Sequence, residues 1–317
     1  MGGIALIAVG SIMNFPWVVV AGFACFVFLP YLFLRSYRLE RTHKALTVTA
    51  WGYARLGFAP FIPVLLLCAV TVAVIGASAS ATGPIIFAYF NVISLFFLLL
   101  LFFFPQILAL SYGAKRLEDK GVLERISAIS QRIGVEPVKA YILPWKSIGV
   151  ANALEAGSAS NKSIFISDYL LELLAPREVD AVIAHELAHA KGRHVLKKML
   201  VVVPLIFVEI NLLAYYFIVQ DLFAVEVFIG FVVACSLVIL LCLLPLSRRY
   251  EFEADRMAVD AMGDPEPIAS ALMRLRSLST SNEKPSKRRW STHPTLEMRI
   301  KRIMERRKSP EAATGRG

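Results

Sequence analysis

Two histidines four residues apart, His185 and His189, flank Glu186 in the stretch Ala184-His185-Glu186-Leu187-Ala188-His189. Residues at this spacing lie on one face of a helix, one above the other. Two imidazoles so placed can hold one zinc ion through nitrogen. The carboxylate between them can take a proton from a water that the metal activates and pass it to a leaving amine. The chain has five histidines, at positions 43, 185, 189, 194 and 293, so two at this spacing are informative. A hydrolytic site of this kind needs a third protein ligand and an open fourth position.

His194 is the nearest remaining histidine. A metzincin would put its third histidine six residues after the second, where this chain has Val195, so that assignment is rejected. His194 is read instead as a solvated or membrane-surface histidine among Lys191, Arg193 and Lys197. Glu251 is the better third ligand on geometry. It follows His189 by 62 residues, most of them apolar. Two antiparallel membrane spans in that stretch would return the chain to the side it left. The helix after the hairpin can then face the helix before it. Glu251 and Asp255, four apart, share a face there. One can bind the metal while the other accepts a hydrogen bond from a ligand imidazole. Glu253 points elsewhere on that helix, which favours Glu251.

The elements that must position these residues follow from composition. The 317 residues are 57% hydrophobic and 18% charged, against roughly 45–50% and 25% in a soluble domain. No charged residue occurs in 1–34 or 56–114, and only Glu209, Asp221 and Glu226 interrupt 199–247. A membrane helix needs roughly 20 apolar residues. Five spans are therefore expected, at 15–34, 57–78 and 85–110, with two more inside 199–246 that meet at Gln220 and Asp221. Basic residues cluster in 35–55, 111–198 and from 248 onward. The positive-inside rule assigns those segments to the cytoplasmic side and the amino terminus to the outside of a multi-pass cell-membrane protein. The net charge of +10 is thus explained by anionic lipid, so a bilayer is the expected partner and nucleic acid is not. Cys25, Cys68, Cys235 and Cys242 lie in apolar runs and offer no disulfide framework. No basic leader precedes the first run, so no cleavable signal is expected.

The expected fold class is a multi-span α-helical membrane protein with a small α+β zincin-type catalytic domain. Its segments are an amino-terminal membrane region at 1–110, a first catalytic piece at 111–198 and a transmembrane hairpin at 199–247. A second catalytic piece at 248–307 and a disordered tail at 308–317 complete it. The first piece reads as a helix over 118–133 stopped by Gly134, strands over 138–143, 148–154 and 163–167, and a helix opened by Pro176. The second reads as helices over 251–262, 267–278 and 296–306, with a loop over 279–287. Glu209, in mid-span near Asn211, is read either as a helix contact or as part of a polar path.

Taken together, the His185–His189 motif, Glu251-Phe252-Glu253-Ala254-Asp255 and Thr292-His293-Pro294 resemble the HtpX-like membrane metallopeptidases, relatives of the CAAX prenyl endopeptidases. The resemblance covers about 118–303. It implies a Zn2+ cofactor, Glu251 as ligand, Asp255 as its outer partner and Glu186 as general base. It further implies that His293 stabilises the oxyanion, although a turn histidine before Pro294 is the plain alternative. Asn152 and Ala153 resemble the start of an edge strand that pairs with substrate backbone, and Arg299, grouped with them as substrate-binding, matches a basic residue downstream of the family histidine. Three spans before the motif helix, where two are usual, depart from the common layout. Polypeptide substrates, membrane proteins among them, and a role in protein quality control follow from the resemblance. Its alternatives are a CAAX-type peptidase for lipidated peptides and a non-hydrolytic membrane metal-binding or transport protein. The sequence sets no oligomeric state.

Overall fold

In a computed structural model of the chain, the structure describes residues 35–38, 41, 48–58, 83–136, 138–157, 162–218, 225–278 and 294–307. The chain divides into two compact units. Residues up to Gly113 belong to the first, with Ser147–Gly149 and Pro204–Val233. The second holds Ala114–Lys146, Val150–Val203 and everything from Ala234 on.

In the first unit, α1 is Ala50–Phe58, α2 is Gly83–Phe102 and α3 is Phe104–Tyr112. The apolar run expected to span at 85–110 forms two helices, bent by 65° between α2 and α3. Pro105 opens α3, where a missing N–H costs nothing, and Gly113 closes it in the left-handed region at φ 64°. The spans expected at 15–34 and 57–78 lie wholly or almost wholly outside the described residues, as do the hairpin turn, the 279–287 loop and the tail.

The second unit is built on a four-stranded sheet in the order β1-β2-β4-β3. These strands are Lys115–Arg116, Lys139–Leu143, Ala153–Ala156 for β3 and Ser163–Ser167 for β4. The β2–β4 pair is parallel, and the other two pairs are antiparallel. All five residues of β4 are buried, as an inner strand requires, and β3 is left at the edge. The strand expected over 148–154 begins later, at Ala153. Lys146–Ile148 instead forms a 3-10 turn, and Gly149 follows at φ 63°, which ends extended backbone before β3 can start.

Helix α4 (Lys120–Ile133) is capped by the Asp119 carboxylate and stopped by Gly134 at φ 73°. With α5 (Asp168–Leu173) and α6 (Pro176–Gly192), it closes over the sheet. Ile126, Ile129, Ile164, Ile166, Leu170, Val179, Ile183 and Leu187 form one apolar core there. Two helices are longer than the sequence reading drew them. The helix α7 (His194–Ile218) starts five residues before the apolar run, and α8 (Val225–Met262) continues without a break through Arg248 and Arg249 to Glu251 and beyond. Those arginines are good helix formers, and nothing beside them stops a helix. They end the apolar surface but not the helix. Helices α9 (Glu266–Leu278) and α10 (Leu296–Arg307) complete the unit.

Candidate metal and catalytic site

Helix α6 carries the paired histidines, and both of its ends are fixed. Pro176 stands in its first turn, and the Glu178 carboxylate accepts the Ala175 N–H at 2.8 Å. The same buried carboxylate accepts a hydrogen bond from the Ser270 hydroxyl and pairs with Arg274 Nε at 3.0 Å, which ties α6 to α9. At the other end Arg193 adopts φ 51° and turns the chain into α7.

His185 and His189 present their Nε2 atoms to each other at 3.2 Å. From α8, Glu251 places Oε2 3.6 Å from His185 Nε2 and Oε1 3.6 Å from His189 Nε2. Four ligands around zinc at roughly 2.0–2.1 Å stand about 3.3–3.4 Å apart along each edge of the tetrahedron. The His–His separation lies close to that value, and Glu251 approaches each imidazole through a different carboxylate oxygen, so two imidazoles and one carboxylate are near enough to share a zinc ion. Among the described residues this is the one cluster that could hold a metal.

Each ligand imidazole has its other nitrogen engaged. His185 Nδ1 lies 3.0 Å from Asp255 Oδ1. Asp255 in turn is clasped by Arg299, whose Nε and Nη2 donate to the two carboxylate oxygens at 2.8 and 2.6 Å. Burial works against the Asp255 charge, but the bonds from Arg299 and His185 hold the carboxyl down at about 2. His189 Nδ1 lies 2.8 Å from His194 Nδ1. Burial above all lowers His189 to about 2, which favours its neutral form.

Glu186 sits beside the cluster on α6, and burial above all pushes its carboxyl up to about 7. Its Oε2 accepts the backbone N–H of Glu155 at 2.9 Å. That N–H belongs to the free side of β3. Asn152 bonds β4 through Ser167, and register alternation then turns Ala153 and Glu155 outward. The sheet edge, the proposed base and the three ligands thus meet in one cleft of about 380 Å³. Val182, Ile268, Leu272 and Leu275 supply an apolar wall to it.

The structure therefore brings Asn152, Ala153, His185, Glu186, His189, Glu251 and Arg299 to one cleft, with Asp255 directly behind it. Arg299 lines this cleft, yet its shortest bonds are to Asp255, so it buttresses the partner of His185. His293 lies outside the described residues. One expectation is overturned: His194 is not solvated but only 1% exposed, with its ring stacked on Tyr250 at 4.3 Å and an interplanar angle of 5°. Glu253, expected to point elsewhere, has its Oε2 3.6 Å from His194 Nε2.

Comparison with known proteins agrees with this geometry. The chain is 29% identical over 172 residues to a "Protease HtpX homolog" of Halobacterium salinarum, covering 52% of this chain and 58% of that one. A Methanopyrus kandleri protein of the same description is 24% identical over 212 residues, of which the chain spans 65%. For the Pyrococcus abyssi protein the figures are 28% over 261 residues and 89%. The chain thus spans less than two thirds of two of these relatives and most of the third. In fold, it is similar to the crystal structure of S. mikatae Ste24p, with a TM-score of 0.68 at 20% identity, over 90% of this chain and 74% of that one. Residues 117–307, more than half of the sequence and every residue of the cluster, match the profile of "Peptidase family M48", and the chain belongs to that family.

Proposed function

We propose that this chain is a zinc-dependent endopeptidase of the membrane, cleaving membrane-associated or misfolded polypeptides at the cytoplasmic face. The observation that carries the reading is the placing of Glu186 between the donor set and a free strand edge. His185, His189 and Glu251 would hold the ion. When bound, zinc supplies Lewis-acid polarisation of the scissile carbonyl and acidifies the attacking water. The outward N–H and C=O of Ala153 and the C=O of Glu155 take the substrate as an added strand, while the Glu155 N–H stays with Glu186. Glu186 then accepts the proton of the attacking water and returns it to the departing amine, a task suited to a carboxyl poised at about 7. Arg299 holds Asp255, and Asp255 holds His185, so the ligand shell is rigid before substrate arrives. His293, on the family resemblance, donates to the developing oxyanion.

The membrane part of the proposal is supported by α8. Its stretch Val233–Met262 is long and apolar enough to cross a bilayer, and only 17% of its apolar window is buried in the protein. Leu95, Leu99, Phe102 and Leu110 of α2 and α3 are likewise exposed. Apolar area of that extent marks a lipid-facing surface. The test pairs wild type with Glu186→Gln, both purified as the full chain in detergent. Zinc content and cleavage of unfolded casein are measured. The variant should keep one zinc per chain and lose roughly 10²–10⁴-fold in cleavage rate. A variant that cleaves like wild type, or a wild type without zinc, rules the mechanism out.

A further inference from the structure

His194 is held by more structure than a helix-end residue needs. It stands five residues after His189, and its ring is almost completely buried. Arg193 takes a left-handed conformation, φ 51°, seldom adopted by a residue with a side chain, and this turn folds His194 back under α6. Gly192 leaves the space the ring occupies: an added Cβ there would meet Nε2, Cδ2 and Cε1 of His194 inside van der Waals contact. On its other side the ring stacks on Tyr250, the residue before the ligand Glu251. From this cradle its Nδ1 makes a hydrogen bond with His189 Nδ1, at 2.8 Å.

The protons in that contact can be assigned. If His189 Nε2 is to face a metal, it must offer a lone pair, so its Nδ1 carries the hydrogen. His194 Nδ1 must then be the acceptor, and the His194 hydrogen sits on Nε2. That atom is buried, without a hydrogen-bond partner among the described residues, and has Glu253 Oε2 at 3.6 Å on its outer side. We propose that His194 is a positioning residue for His189. It accepts the Nδ1–H and so fixes which nitrogen of His189 faces the metal and how the ring is turned. The proposal rests on the zinc reading of the cluster. It completes a pattern in which each ligand imidazole has its own partner: a carboxylate from α8 for His185, and a neutral imidazole from the start of α7 for His189.

The test measures zinc affinity of the full chain in detergent, by competition with a chromophoric chelator, for wild type, His194→Phe and His194→Asn. Phenylalanine keeps a stacked ring but cannot accept a hydrogen bond, whereas asparagine can accept through its amide oxygen. The expected result is a loss of about 10–100-fold for His194→Phe, with His194→Asn close to wild type. Should the phenyl ring prevent folding, His194→Leu is read in its place. If wild type binds zinc and the acceptor-free variant binds it as tightly, the proposal falls while the peptidase reading stands. If asparagine is as poor as phenylalanine, an acceptor at this position does not set the affinity and the proposal also falls. A wild type that binds no zinc removes the peptidase reading, and this proposal with it.

Discussion

Glu155, on the cleft side of the edge strand, is a carboxyl in an unfavourable place. Burial above all, then the charge of Glu186, pushes it up to about 8, against the pull of Lys162 and Lys198. The folded protein therefore keeps a proton that the unfolded chain releases above about 4.5. Between those values the folded state binds more protons, so stability falls as pH rises through the window. In the chelated protein, Glu155→Gln should flatten this slope. The check is Tm in detergent at pH 5 and pH 8 for both proteins. An equal drop in both would mean that Glu155 carries no excess proton in the fold. At this scale the pairing of His185 with His189 was legible, because a four-residue repeat on a helix is a geometric statement in itself. His194 was concealed. Five residues along an unbroken helix lie about 140° round from the start, so periodicity assigns His194 to the far side. Only the left-handed turn at Arg193 brings it back, and no rule of spacing announces such a turn at an arginine.

At the level of elements, α6 depends on a carboxylate that spacing did not single out. Glu178 satisfies the Ala175 N–H and binds Ser270 and Arg274 of α9. Glu178→Ala removes a cap worth about 1 kcal/mol together with the buried carboxylate that Ser270 and Arg274 bind. A total cost of roughly 2–3 kcal/mol is expected, seen as a lower Tm of the full chain and weaker retention of zinc by the loosened helix. An unchanged Tm would show that α9 holds α6 without it. Helix limits were legible where a residue is built for them, as at Gly134 for a stop and Pro176 for a start. The limits of α7 and α8 were not, because charge was read as a boundary. Lysine and arginine change what a helix faces without changing whether it continues, and α8 passes through Arg248 and Arg249 unbroken. The start of β3 was misjudged for the opposite reason: Gly149 interrupts a run whose side chains alone look extended.

For the molecule as a whole, composition spoke first, and the exposed apolar flanks of α2, α3 and α8 are consistent with it. Membranes carrying the protein, washed with alkaline carbonate, should retain it in the pellet. Release into the supernatant would contradict the bilayer reading. The continuity of α8 has a consequence for biogenesis. Two metal ligands precede the apolar segment in the chain, and the third comes 62 residues after His189, on the far end of the helix that carries the apolar length. At a synthesis rate of about 5–20 residues per second, the nascent chain spends several seconds with half a metal site. During that interval it can neither close around the ion nor cut its neighbours. On the proposed reading, the site is whole only once the apolar helix has emerged and entered the bilayer, and insertion is then the event that arms the enzyme.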